Sequence, residues 1–402
     1  MANFTIKGNK HSVVEFKQSD STWTVVASAT LSVTNNSAIF EDFDKSGNTL
    51  INKGHVFADN GQHTVTIFLN GEGTDVTNTK TGVITGLTGV RLGGDHQTML
   101  NQGIISTSDE GVTVYGTKSH LTNDGRITAD DIGIDLINCD NSVIDNAAGG
   151  KIKSGGTGVS FSTDTDVAVT FTNEGSVKSA FAAVSGSNGD DKVINHGTLI
   201  GDVYLGDGDN VFDTRGGTLD GLFIAGDGDD TLITDKASVK FSNTSDTDGV
   251  DTVKSTVSYK LNANVENLYL LGTADINGTG TGEDNTISGN SGDNVIKGMG
   301  GFDTLSGGKG NDRLSGGSDI DVFQFSTGDG KDVLTNFNVD SGGGASTDVL
   351  DISKWNAISD FDDLMAHHIK NVGGDAMIFA GADSILLTDV HKADLSNTDF
   401  VF

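Results

Sequence analysis

Between residues 280 and 324, glycine and aspartate recur on a period of nine, and carboxylates at so regular a spacing suit the binding of metal ions. Gly280, Gly289, Gly298, Gly307 and Gly316 open successive units. Their sixth residues are Asn285, Asn294, Asp303, Asp312 and Asp321, and their eighth are Ile287, Ile296, Leu305, Leu314 and Phe323. Each unit reads as a six-residue turn followed by a three-residue strand with one side chain turned inward, so two units close a coil of 18 residues. Turns stacked in this way set like charges above one another, and their repulsion requires a cation between them. Calcium suits the site because it accepts about six to eight oxygens, here from carboxylates and from carbonyls bared by glycine turns. Zinc would require Cys or His, and magnesium a stricter octahedron. A flexible glycine-rich linker would have no reason to keep an apolar residue at every ninth place.

Acidic turns of the same kind begin earlier. Gly186 to Asp191 is one; Gly206-Asp207-Gly208-Asp209-Asn210 follows, and Gly226-Asp227-Gly228-Asp229-Asp230 comes 20 residues after that. They add Asp191, Asp207, Asp209, Asp227, Asp229 and Asp230 to the candidate metal ligands.

Positioning these turns requires a scaffold that repeats, and residues 50 to 200 carry one. Asn52, Asn101, Asn123, Asn173 and Asn195 are each followed two residues later by glycine and then by an aliphatic residue, with stretched copies at Asn78 and Asn146. Successive asparagines lie 22 to 27 residues apart. Two further short alternations follow most of them, for example Gly133-Ile134-Asp135-Leu136 and Ser142-Val143-Ile144. Three short strands per unit describe one coil of a parallel β-helix, right-handed by the usual crossover rule, with each coil rising about 4.8 Å. Asparagine at a fixed corner can form a hydrogen-bonded ladder, and the adjoining glycine permits the bend. A β-sandwich would also give alternating strands, but it would not repeat one corner residue in register.

Composition agrees with a narrow, continuous core. The 402 residues include 56 glycines and no proline, and only 35% are hydrophobic. The absence of proline leaves every backbone donor available to a ladder. A formal charge of −31 argues against nucleic acid and anionic membrane surfaces as partners and in favour of cations. The lone Cys139 excludes an internal disulfide and reads as a small buried apolar residue. The N-terminus lacks the pattern of a secretory signal, and no apolar run is long enough for a membrane span.

With these residues in view, residues 280 to 324 closely resemble the RTX (repeats-in-toxin) calcium-binding family. The resemblance implies a parallel β-roll that binds several calcium ions, unfolded at low cytosolic calcium and folded outside the cell. Carried across position by position, the strongest ligands are Asp303, Asp312 and Asp321. Asn285 and Asn294 depart from the pattern, although Asp284 and Asp293 adjoin them, and Asp319 stands where a fourth-position glycine belongs. "VFQFSTGDGKDVLTNFNVD", "DVLDISKW" and the final Asp399-Phe400-Val401-Phe402 are similar to the C-terminal region of serralysin-type secreted proteins. That similarity implies export by type I secretion machinery from a Gram-negative bacterium.

The expected division is a strand-rich cap over 1–50, a parallel β-helix over 51–240 with acidic turns from 186, a connecting segment over 241–279, the β-roll over 280–326, and a C-terminal cap with secretion signal over 327–402. Signs of catalysis are few. HExxH and GxSxG are both absent, and His367-His368 falls on a short helix expected over 359–369. The carboxylate pairs Asp130-Asp131 and Asp164/Asp166 suit solvated turns, and the only arginines are Arg91, Arg126, Arg215 and Arg313. The expected function is therefore a structural or adhesive, self-associating protein of the cell surface or matrix, contacting a surface or matrix polymer, and not an enzyme. The alternative is a lyase or epimerase acting on extracellular polysaccharide.

Overall fold

Short alternating runs cannot bury an apolar face alone, and in the computed structural model they do so by stacking. The chain divides into two compact units, Met1–Gly228 and Asp229–Phe402, and the structure describes residues 2–59, 64–162, 167–243, 249–339 and 347–402.

In the first unit a coil has three strands. Thr98–Asn101, Ile104–Thr107 and Val112–Tyr115 make one coil, and His120–Asn123, Arg126–Ala129 and Ile134–Ile137 make the next. Each strand pairs in parallel with its counterpart, placing Met99 beside Leu121, Ile105 beside Ile127 and Val112 beside Ile134. The inward residues thus form three buried columns that include Leu121, Ile144 and Phe171; Ile127, Ile152 and Val177; and Ile134, Val159 and Val184. Each such side chain contributes about 1.5–3 kcal/mol by burial.

The corner asparagines form the expected ladder. Asn52 Nδ2 donates to Asn78 Oδ1 at 2.9 Å, and the chain of bonds runs through Asn101, Asn123, Asn146 and Asn173 to Asn195 at 2.7–2.8 Å. It ends with Asn195 donating to Thr214 Oγ1 at 3.2 Å. All seven asparagines are buried, so every amide matters to its neighbours.

Strands within residues 2–50, the expected cap, pair in parallel with the coils that follow. Asn3–Ile6 pairs in parallel with Thr22–Val25, and that strand pairs with Thr49–Asn52. The repeat was obscured because Val25 occupies the ladder position that Asn52 fills one coil later.

The second unit has two strands per coil. Asn267–Leu270, Thr286–Ser288, Thr304–Ser306, Val322–Ser326 and Val349–Lys354 stack on one side. Gly278–Thr279, Val295–Met299, Arg313–Gly317 and Lys331–Leu334 stack on the other. Ile287, Leu305 and Phe323 on the first side and Ile296, Leu314 and Leu334 on the second are all fully buried. Within the expected connector over 241–279, Thr252–Ser255 and Tyr259–Lys260 join this stack.

Beyond Lys331–Leu334 the pairing changes sense. Asp383–Leu387 adds in parallel, and Asp375–Ala380 and Ile369–Val372 then add antiparallel, ending the parallel ladder in a meander. The helix expected over 359–369 is confined to Phe361–Asp363 and a wider π turn at Leu364–His368. Among the described residues no helix is long and apolar enough to cross a membrane.

Candidate metal centre

Each strand on the first side of the second unit is preceded by a polar residue at the corner, and in the roll these residues form a column. Asn285 N–H donates to Asp303 Oδ1 at 2.9 Å, Asp303 N–H to Asp321 Oδ1 at 3.1 Å, and Asp321 N–H to Asp348 Oδ1 at 3.0 Å. On the opposite side Asn294 N–H donates to Asp312 Oδ1 at 2.7 Å, and Asp312 N–H to Asp332 Oδ1 at 2.9 Å. One carboxylate oxygen therefore ties each coil to the one before it.

The other oxygen is left over. Oδ2 of Asp303, Asp312, Asp321 and Asp332 is buried without a hydrogen-bond partner. Such a group is costly unless something positive meets it. The opening glycine of each unit provides the space, since a Cβ on Gly298, Gly307 or Gly316 would stand 2.0, 2.2 or 1.8 Å from Oδ2 of Asp303, Asp312 or Asp321. Burial, aided by neighbouring carboxylates, pushes Asp303 and Asp332 up to about 7 and Asp312 and Asp321 up to about 6. Four orphaned acidic oxygens beside glycine turns fit a hard, oxygen-seeking dication. Among the described residues no three His, Cys, Asp or Glu side chains converge in one cluster. Carboxylates here stand one to a level, so backbone carbonyls must complete any ligand set.

The other expected ligands fall into distinct roles. Asn285 and Asn294 fill the same corner but satisfy themselves. Their Oδ1 atoms accept from Thr281 N–H (2.7 Å) and Asn290 N–H (2.9 Å), and their Nδ2 atoms donate to the carbonyls of Val265 (3.1 Å) and Ile276 (2.6 Å). Asp284 and Asp293 are exposed and accept the N–H of Phe302 (2.6 Å) and Asn311 (2.7 Å) one coil on. Asp319 holds φ +76°, the left-handed conformation its missing glycine would have taken freely.

Asp191 is buried, with Oδ1 accepting from Val169 N–H (3.0 Å) and Oδ2 from Ser187 N–H (2.7 Å) and Ser187 Oγ (3.0 Å), so both oxygens brace its own turn. Asp207, Asp209, Asp227 and Asp229 are exposed on their turns. Asp207 Oδ1 accepts from Asp227 N–H at 3.5 Å, and Asp229 Oδ1 from Val250 N–H at 2.8 Å. Asp230 is fully buried, and its N–H donates to Asp251 Oδ1 at 2.9 Å.

Asp332, with its unpartnered Oδ2, is a further candidate ligand, and Asp348 and Asp251 fill the same corner with both oxygens engaged, Asp348 by the N–H groups of Asp321 and Asn338 and Asp251 by Asp230 N–H and Asn243 Nδ2. Each stands two places before a buried apolar residue, Leu334, Leu350 or Val253, as Asp303 stands before Leu305. Asp332 and Asp348 follow the preceding acid of their own column by 20 and 27 residues, which departs from the 18 that the nine-residue period gives. Elsewhere Cys139 is buried with Sγ donating to Val114 O at 3.1 Å, and burial pushes its thiol up to about 12, which makes it inert. His367 pairs with Asp363 at 2.9 Å, and His368 lies 3.1 Å from Phe379 O. Asp164 and Asp166 lie outside the described residues.

Stacked two-strand coils with acid-bearing glycine corners define a parallel β-roll of the calcium-binding class. Residues 279–314 and 288–323 match the RTX calcium-binding nonapeptide repeat (4 copies), and the chain carries RTX repeats there. No curated protein matches the chain. Among solved structures, the extracellular lipase LipA from Serratia marcescens is similar at 15% identity and a TM-score of 0.24 over 62% of this chain. The match spans 45% of that lipase.

Proposed function

We propose that this protein is secreted, folds on binding several calcium ions, and serves as a structural or adhesive component of a bacterial surface or extracellular matrix, such as a biofilm or surface layer. The observation that carries the reading is the buried, partnerless Oδ2 of Asp303, Asp312, Asp321 and Asp332. Without a cation these oxygens oppose the fold, and with one they lock coil to coil. Asp303 and Asp321 would hold calcium on one side of the roll and Asp312 and Asp332 on the other, with carbonyls of the glycine turns. Bound calcium supplies charge neutralisation and no catalytic step.

Such dependence suits a chain exported unfolded by type I machinery from a calcium-poor cytoplasm into calcium-rich surroundings. Asp399 and Phe400 are buried in the folded form, where Phe400 pairs with Leu350, so a signal in this segment would be readable only before folding. The long, repetitive sheets of the first unit suit lateral or end-to-end association. Electron microscopy of purified chain with and without calcium tests the reading. Sheets, fibres or cell coats that appear only with calcium are expected. Dispersed particles under both conditions, or cleavage of a uronate polymer, would replace it with the polysaccharide-enzyme alternative.

A further inference from the structure

One face of the first unit runs against the character of the whole chain. The second strand of each coil turns alternate residues outward. Across five coils, one outward row reads Val83, Ile104, Arg126, Lys151 and Ser176, and the other reads Thr85, Ser106, Thr128, Lys153 and Lys178. In a protein with 56 acidic and 25 basic residues, these ten positions hold four cations and no carboxylate.

The register makes the concentration costly. Arg126 stands beside Lys151 and Lys153 beside Lys178 on adjacent strands, about 4.8 Å apart at the backbone. Like charges directly opposite destabilise a sheet. All four side chains are exposed, and none forms an ion pair among the described residues. Arg126 and Lys151 also wall two shallow grooves, one continuing to Lys153 and Lys178 and the other to Lys80.

We infer that this strip is a docking surface for an anionic polysaccharide. A single flexible polyanion can lie along a strip two residues wide, and its charges relieve the repulsion between the stacked cations. The hydroxyls of Thr128 and Ser176 border the cations with donors and acceptors suited to sugar hydroxyls. A broad anionic membrane would also face the field of a chain with a net charge of −31. Single-stranded nucleic acid is held largely by stacking its bases on aromatic side chains, and these ten positions carry none.

The inference deepens the matrix reading above by naming the polymer class, and it is tested separately from assembly. Full-length calcium-loaded protein is compared with the variant Arg126→Gln, Lys151→Gln, Lys153→Gln and Lys178→Gln for binding to dextran sulfate, neutral dextran, phosphatidylglycerol vesicles and oligothymidylate. The native chain should bind dextran sulfate but not dextran, less tightly as salt rises. The variant should lose about tenfold or more in affinity, with an unchanged or higher melting temperature. Equal binding by the variant would overturn the inference and place the polymer on the calcium corners. So would a loss confined to vesicles or oligothymidylate. Strip-dependent binding without calcium-dependent assembly in micrographs would support it while removing the matrix reading.

Discussion

Asp303 and Asp321 stand one coil apart and are joined at the backbone, with Asp303 N–H donating to Asp321 Oδ1 at 3.1 Å while Oδ2 of both residues stays buried and unpaired. Each carboxylate thus has two jobs that mutation can separate. One oxygen stitches coils together, and the other awaits a cation.

Replacing Asp303 and Asp321 by asparagine keeps an oxygen for the stitch and removes the charge. The calcium midpoint for folding, followed by circular dichroism, should rise about tenfold or more, while stability in chelator holds or improves as like charges are removed. Alanine at the same positions should cost stability in chelator as well. An unchanged midpoint in the asparagine variant would exclude these two residues as ligands.

Gly316→Ala tests the space beside Asp321. A Cβ 1.8 Å from Oδ2 must displace the carboxylate, so denaturant unfolding should show a loss of about 1–3 kcal/mol from overpacking. The shortfall should be larger in calcium than in chelator, because the displaced oxygen is the one offered to the ion. Gly282→Ala, where an added Cβ meets nothing within 4 Å, is the control.

The pH dependence should change sign with calcium. Burial raises Asp303 and Asp332 to about 7 and Asp312 and Asp321 to about 6, from 3.8. In chelator the folded state therefore holds protons that the unfolded chain has released. Stability is then gained as pH falls from 7 towards 4 and lost as pH rises through 6 to 7. With calcium present, binding needs the ionised carboxylates, so the stabilisation by calcium should fade over the same fall. Melting temperatures measured against pH in both conditions should converge on acidification; parallel curves would contradict the assignment.

The asparagine ladder should behave as a calcium-independent brace. Asn123→Ala removes the acceptor of Asn101 Nδ2 (2.7 Å) and the donor to Asn146 Oδ1 (2.8 Å) and leaves buried amide atoms unsatisfied. A loss of about 2–4 kcal/mol is expected, equal in chelator and calcium. Asn52→Ala, at the end of the ladder, should cost about half as much in thermal or denaturant melts, since it breaks one ladder bond.

Much of this architecture was written locally. A corner residue that must recur, an apolar residue that must face inward and a glycine that must bend leave a period in the chain, and Asn52 to Asn195 and Gly280 to Phe323 display it openly. Where a corner was filled differently the period vanished from view, as with Val25 in the ladder and with Asp332 and Asp348 after irregular spacings.

The sequence by itself determined the parallel coils, their buried columns and the acidic turns, because repulsion and burial act on residues at fixed spacing. Only the tertiary structure decided which acids have an oxygen to spare. Asp191 and Asp303 look alike in the chain, but the first is saturated by Val169 and Ser187 while the second keeps Oδ2 unpartnered. Likewise Arg126, Lys151, Lys153 and Lys178 become one strip only when the coils bring them side by side. Hydrogen-bond saturation and charge adjacency depend on neighbours one coil away, and that proximity is created by folding.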